Sequence, residues 1–194
     1  IIVCDDVLEV AQATDKLLGK KLITNQTGPA GKIINRVYIE EASDIDKELY
    51  LGLVFDRGSE CIMVVASTEG GMSVEEISSE KPETIIRSKI EAAVGMQDFQ
   101  AREIAFNLGI EPELISRTAD VIKNCYRVFS ELDATMVEIN PLVITKDKHV
   151  FALDCKMSFD NNALFRRNQV SELRDKAQEN PNEVYASDRG LNYI

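Results

Sequence analysis

Met136-Val137-Glu138-Ile139-Asn140-Pro141, followed after a short gap by Ala152-Leu153-Asp154-Cys155-Lys156, decides how this chain is read. Side chains alternate across a strand. Glu138 and Asn140 therefore share one face, and Val137 and Ile139 the other. On the second segment Asp154 and Lys156 share a face, opposite Leu153 and Cys155. A turn centred near Asp147 sets Asn140 opposite Asp154, and Glu138 opposite Lys156. Opposed side chains then lie about 4.5–5.5 Å apart at Cβ. One face gathers two carboxylates, an amide and an amine, while the other stays apolar. An Asn carbonyl beside an Asp carboxylate suits Mg²⁺, a hard ion that takes one or two protein oxygens and completes its shell with water and phosphates. Such an ion neutralises charge on a transferring phosphoryl group. The bland alternative is the solvent face of an amphipathic hairpin, with a Glu138–Lys156 salt bridge and Asn140-Pro141 as a common turn starter.

Working outward, Leu49, Leu51, Leu53 and Phe55 alternate with Tyr50, Gly52 and Val54. A turn at Asp56–Ser59 leads to a return strand over Cys61–Ala66. Strands are also predicted over Thr84–Ile90, over Arg36–Glu41 and at the end formed by Ile1–Val3. Asp5 and Asp6 offer N-caps to a helix that stops near Gly19. Thr24–Gly31 and Ser67–Met72 read as loops. Helices are predicted over Gln97–Leu108 and from about Pro112 to Leu132. In the second, Ile115, Ala119, Ile122, Cys125 and Phe129 fall on one face. After Phe165 the composition turns polar, and Gln178–Asp188 reads as surface helix or linker. The fold class is α+β, with strands largely in antiparallel hairpins. There is no internal repeat. The G-x-G-x-x-G fingerprint and the P-loop are both absent, so a nucleotide would need another scaffold.

The 194 residues are 44% hydrophobic and 28% charged, ordinary for a globular protein with a real core. The net charge of −11 argues against non-specific nucleic-acid binding. No apolar run approaches the ~20 residues of a membrane span, and the start has no basic region typical of a signal peptide. The chain opens on what reads as a strand without an initiator Met, so a fragment is expected. Cys4, Cys61, Cys125 and Cys155 form no C-x-x-C pair and read as buried, reduced thiols. The single His, His149, stands by the hairpin turn and reads as an exposed polar residue. A single His argues against a His-based zinc site.

Val137-Glu138-Ile139-Asn140-Pro141-Leu142-Val143, Ala152-Leu153-Asp154 and Asn162-Ala163-Leu164-Phe165-Arg166 closely resemble the β subunit of succinyl-CoA synthetases. So do Lys47-Glu48-Leu49-Tyr50-Leu51-Gly52, Ser67-Thr68-Glu69-Gly70-Gly71 and Leu191-Asn192-Tyr193. These motifs run in the family's order over nearly the whole chain. The β subunit of malate–CoA ligase is closely similar.

The resemblance implies a partial ATP-grasp fold: 1–43 as the end of a first lobe, 44–180 as a second lobe, and 181–194 as a linker. It implies Mg²⁺ and ATP/ADP as cofactors, with GTP/GDP as the alternative nucleotide. The implied partner is the α subunit, in an αβ or α₂β₂ complex, whose His exchanges a phosphoryl group with the nucleotide. That exchange is coupled to interconversion of succinyl-CoA and succinate in the citric acid cycle. Neither nucleic acid nor membrane is expected as a partner, and the implied location is bacterial cytoplasm or mitochondrial matrix. Carried over by position, Asn140 and Asp154 match metal ligands, and Glu138 matches an acidic residue near the incoming phosphohistidine. Glu40 and Ser43 match a segment facing the nucleotide base, and Glu48 a further nucleotide position at the ribose. The family's Gly- and Lys-rich phosphate-binding segment lies before Ile1, and its CoA-ligase domain follows Ile194. A fragment that only docks the α subunit is therefore a second expectation.

Overall fold

The computed structural model describes residues 1–24, 27–191 and 193. They divide into two compact units, 1–43 with 174–194, and 44–173. Residues 174–194, expected as the tail of the second lobe and a linker, group with the first unit.

In the first unit, α1 (Val7–Leu17) begins where the Asp6 carboxylate accepts the Glu9 N–H at 2.9 Å. Gly19 follows its end in the left-handed conformation. β1 (Lys21–Leu22) and β2 (Lys32–Ile33) form a short antiparallel pair. The loop read over 24–31 includes positions 25 and 26, which lie outside the described residues. Neither Ile1–Val3 nor Arg36–Glu41 is a strand, contrary to expectation. Alternation marks a segment that can pair, but a strand exists only where a neighbour supplies the ladder.

The second unit holds a six-stranded antiparallel sheet. β3 (Ile45–Asp56) and β4 (Cys61–Ser67) form its first hairpin. The chain then makes α2 (Val74–Glu80) and the edge strand β5 (Ile85–Ile90). α3 (Asp98–Asn107) and α4 (Ile115–Glu131) precede the central strand β6 (Ala134–Thr145). β6 pairs with β3 on one side, and with β7 (Val150–Ala152) and β8 (Cys155–Phe159) on the other. α5 (Asn168–Ser171) ends the unit, and α6 (Pro181–Ser187), capped by Asn180, belongs to the first unit.

Both long helices seal the same sheet face. The core combines Leu49, Leu51, Leu53, Val64, Ala66 and Ile90 of β3, β4 and β5 with Val137, Ile139, Leu142 and Ile144 of β6. Against them lie Ala101, Ile104 and Ala105 of α3, and Ala119, Ile122, Cys125 and Phe129 of α4. The apolar stripe read for α4 is thus the packed one, with Ile115 at its margin. α4 starts later than expected because Glu111–Leu114 closes a turn first, Leu114 N–H to Glu111 O at 2.8 Å. α2 went unread, although Ser73 and Glu76 carry the capping-box pattern and make both of its hydrogen bonds.

Burial departs from the sequence pattern at three residues. Phe55 is 52% exposed, beyond the reach of the helices at the tip of the hairpin. Cys61 and Cys125 are buried, but Cys155 is exposed and Cys4 partly so. Among the described residues β8 pairs with β6 alone, so no strand lies on its outer side by Cys155. No helix among the described residues is long and apolar enough to cross a membrane.

Candidate functional site

The open face of the sheet carries the residues between the core positions. Its central row runs Arg87, Val65, Gly52, Glu138, Lys156 across five strands, each paired with the next. The predicted register holds: Glu138 stands opposite Lys156, and the Asn140 N–H donates to the Asp154 carbonyl at 3.2 Å. The salt bridge of the bland alternative does not form: no ion pair within 4 Å joins Glu138 to Lys156.

A β-bulge shapes this face. Leu49 pairs with Leu142 but Leu51 with Ile139, so Tyr50 faces both Asn140 and Pro141. The extra residue inverts the alternation. Val137 and Ile139 enter the core before it, and Leu142 and Ile144 after it. Proline fits here because its missing N–H falls where the ladder is already interrupted.

The bulge presents the Asn140 amide to the loop after β4. Its Oδ1 accepts the Gly71 N–H at 2.8 Å, and its Nδ2 donates to the Met72 carbonyl at 2.7 Å. The loop in turn lies hard against Glu48. A Cβ on Gly70 would come within 2.5 Å of the Glu48 carbonyl carbon and the Leu49 nitrogen. Gly71 has φ +75°, and a Cβ there would come within 2.8 Å of Glu48 Oε2. Only glycine lets the loop approach so closely. Ser67, buried beneath the loop, meets Thr84 Oγ1 at 2.9 Å, and Lys81 bridges to Glu69 at 2.7 Å. Glu48, Asn140, Gly70 and Gly71 thus form one hydrogen-bonded and packed unit.

Tyr50 completes the face. It is 5% exposed, and its ring and hydroxyl lie over Gly52, the cross-strand partner of Glu138. Burial, then the Glu138 charge, then that of Glu75 raise its pKa, so it stays a protonated donor. Beside it opens a groove of about 490 Å³ lined by Val65, Val74, Glu75, Ile85 and Arg87 among others. On the covered face, burial pushes the Cys125 thiol up to about 12, and burial also raises that of Cys155. Both shifts disfavour the thiolate.

Of the residues predicted for a site, Glu48, Glu138, Asn140 and Asp154 belong to the second unit. Glu40 and Ser43 belong to the first, where Glu40 is exposed and Ser43 half-buried outside any helix or strand. The donor set fits Mg²⁺. Asn140 Oδ1 keeps one lone pair beyond the Gly71 hydrogen bond, and the Asp154 side chain is exposed. Among the described residues no three His, Cys, Asp or Glu side chains gather into a closed cage. Sequence reasoning passed over Tyr50 as a site residue. Its signal was present: Tyr50 and Gly52 are two apart, so a large ring lies beside an empty position on one face.

Residues 1–144 match the family model described as an ATP-grasp domain. The chain belongs to the ATP-grasp family. Among curated relatives of this ATP-grasp chain, a Mesorhizobium japonicum protein named "Probable malate–CoA ligase subunit beta" is 55% identical over all of this chain and 49% of its own length. A succinate–CoA ligase [ADP-forming] subunit beta from Cereibacter sphaeroides is 48% identical over 96% of this chain and 47% of its own length. The chain therefore spans about half the length of the curated relatives it matches. Among solved structures, ATP citrate lyase from Methanothrix soehngenii, in complex with citrate and coenzyme A, aligns with a TM-score of 0.67. It is 14% identical and covers 96% of this chain and 42% of its own, a likeness of fold. The α+β ATP-grasp fold expected from the sequence is the one found.

Proposed function

We propose that this chain is the nucleotide-grasping part of the β subunit of a succinate–CoA ligase. It binds a Mg²⁺-nucleotide, ATP/ADP or the guanine pair, and exchanges a phosphoryl group with a His of an α subunit. That exchange drives interconversion of succinyl-CoA and succinate. The observation that carries the reading is the single open face holding Glu138 and Asn140, with Asp154 opposite Asn140. In this reading residues 1–43 close a first lobe, where Glu40 and Ser43 face the base, and Glu48 serves the ribose from the second.

Asn140 Oδ1 and the Asp154 carboxylate would hold Mg²⁺, which when bound neutralises charge on the phosphoryl oxygens. Glu138 acts on the partner. A neutral imidazole has one N–H donor and one acceptor nitrogen. A carboxylate that accepts the N–H fixes the tautomer and leaves the other nitrogen free to take the phosphoryl group. As the imidazole becomes positively charged, the same carboxylate stabilises it. The Gly70–Gly71 loop keeps the Asn140 amide in one orientation, so its free lone pair has a fixed direction.

The test uses the complete β subunit with its α partner. Asp154→Asn is expected to weaken Mg²⁺-nucleotide binding and suppress phosphorylation of the partner His, with the unfolding midpoint preserved. Wild-type phosphorylation in that variant would remove the metal assignment. A second reading, with malate as the acid, is favoured by the 55% identity to the Mesorhizobium japonicum relative. Thioester formation with succinate and with malate separates the two.

A further inference from the structure

We propose that Tyr50 is a positioning residue that holds the Glu138 carboxylate in place from across the β3–β6 ladder. It does so for the phosphoryl-transfer role given to Glu138 above, and so rests on that reading.

Gly52 is the direct cross-strand partner of Glu138. Tyr50 lies two residues before Gly52, on the same open face. Its ring runs along β3 over Gly52 rather than standing out from the sheet. A Cβ on Gly52 would meet the Tyr50 hydroxyl at 2.8 Å and two ring carbons at 3.2 and 3.3 Å. The hydroxyl therefore occupies the space that a side chain at position 52 would fill, which is the space facing Glu138. Gly52 has no positive φ to explain it. In a strand interior a glycine is destabilising relative to alanine. Here the missing Cβ has a use, because it leaves the passage through which the phenol reaches the carboxylate.

Packing alone does not account for the arrangement. A phenylalanine would bury the same ring without the hydroxyl. The opposite strand offers no substitute donor at Glu138, since Lys156 forms no ion pair with it. A phenol hydroxyl can donate, and a carboxylate only accepts, so the two groups set face to face across Gly52 are complementary. A buried aromatic with two rotatable bonds is a rigid support, as a reacting carboxylate requires.

The experiment compares variants of the complete β subunit with its α partner, following phosphorylation of the partner His from Mg²⁺-nucleotide. Tyr50→Phe is expected to lower kcat on the order of 10- to 100-fold, as for a reacting group displaced by a fraction of an ångström, with KM for nucleotide unchanged. Gly52→Ala keeps the hydroxyl but displaces it, and is expected to reproduce that kcat-only loss. In a Glu138→Gln background, Tyr50→Phe is expected to add no further loss, because both act through one group. A wild-type kcat in Tyr50→Phe overturns the proposal. So does a rise in KM with a lowered unfolding midpoint, or an undiminished effect in the Glu138→Gln background. A slow Glu138→Gln beside a fast Tyr50→Phe removes Tyr50 alone and leaves Glu138 standing. A fast Glu138→Gln removes the phosphoryl-transfer reading of Glu138, and Tyr50 with it.

Discussion

Leu51, Leu53 and Val137 on one face of the sheet are sealed under α3 and α4, while Gly52, Val54 and Glu138, their chain neighbours, face the open side. On the covered face, shape decides: aliphatic side chains fill a closed volume and any one can be replaced by another of similar size. On the open face, chemistry decides. Asn140 is tied to Gly71 and Met72, Tyr50 lies over Gly52, and the glycines at 52, 70 and 71 leave space that a side chain would fill. The same strands thus carry one face tolerant in identity but not in volume, and another tolerant in volume only where a side chain has no partner.

Leu53→Ala tests the covered face and should have the largest effect. Loss of a fully buried leucine costs about 2–5 kcal/mol, read as a lowered urea midpoint, with the activity of the remaining folded molecules retained. Asn140→Ala should come next. It removes the hydrogen bonds to the Gly71 N–H and the Met72 carbonyl, at about 0.5–1.5 kcal/mol each. A loss below that range would make the open face an ordinary solvent surface and end the contrast.

Asp133→Asn probes the edge of the sheet, where Arg166 and Arg167 each reach the Asp133 carboxylate at 2.6 Å. The Arg166 contact first, then that of Arg167, holds its carboxyl below the usual carboxylate range. A depressed folded pKa means that the stabilisation is fully present above the unfolded value of about 3.9 and is lost as pH falls through the folded one. The gap between wild-type and Asp133→Asn melting temperatures should therefore be complete at neutral pH and close in acid. Asparagine tolerates the positive φ of position 133, so the backbone is kept. A gap that persists at the acid end would point to shape rather than charge. Lys156→Met should be smallest, within about 0.5 kcal/mol, because the lysine makes no ion pair. A larger loss in thermal unfolding would show a partner for it.

What was legible in the sequence follows the same division. The covered face was readable from alternation in β3 and β6 and from the four-three spacing in α4, because burial imposes a period. The pairing of Glu138 with Lys156 followed from the turn alone. The bulge did not, since it concerns the β3–β6 pairing, and no local pattern announces which distant strand lies alongside. The capture of the Asn140 amide by Gly71 and Met72, almost seventy residues earlier in the chain, was hidden for the same reason. Arg36–Glu41 shows the converse: a strand-like pattern without a neighbour remains a loop.

The bulge has a consequence for how this hairpin can change over time. β6 takes in its extra residue at Asn140–Pro141 without losing step with the return segment, because Leu153 and Asp154 form a matching interruption, joined to it by 3.1 and 3.2 Å backbone hydrogen bonds. Removing one residue at Asn140–Pro141 alone would give β6 plain alternation, with Leu142 and Ile144 still facing the core, but would set Leu153 and Asp154 of the return segment against a single residue. The bulge would change sides of β6 rather than vanish. Only a matched loss on both segments would leave all of these strands in plain step.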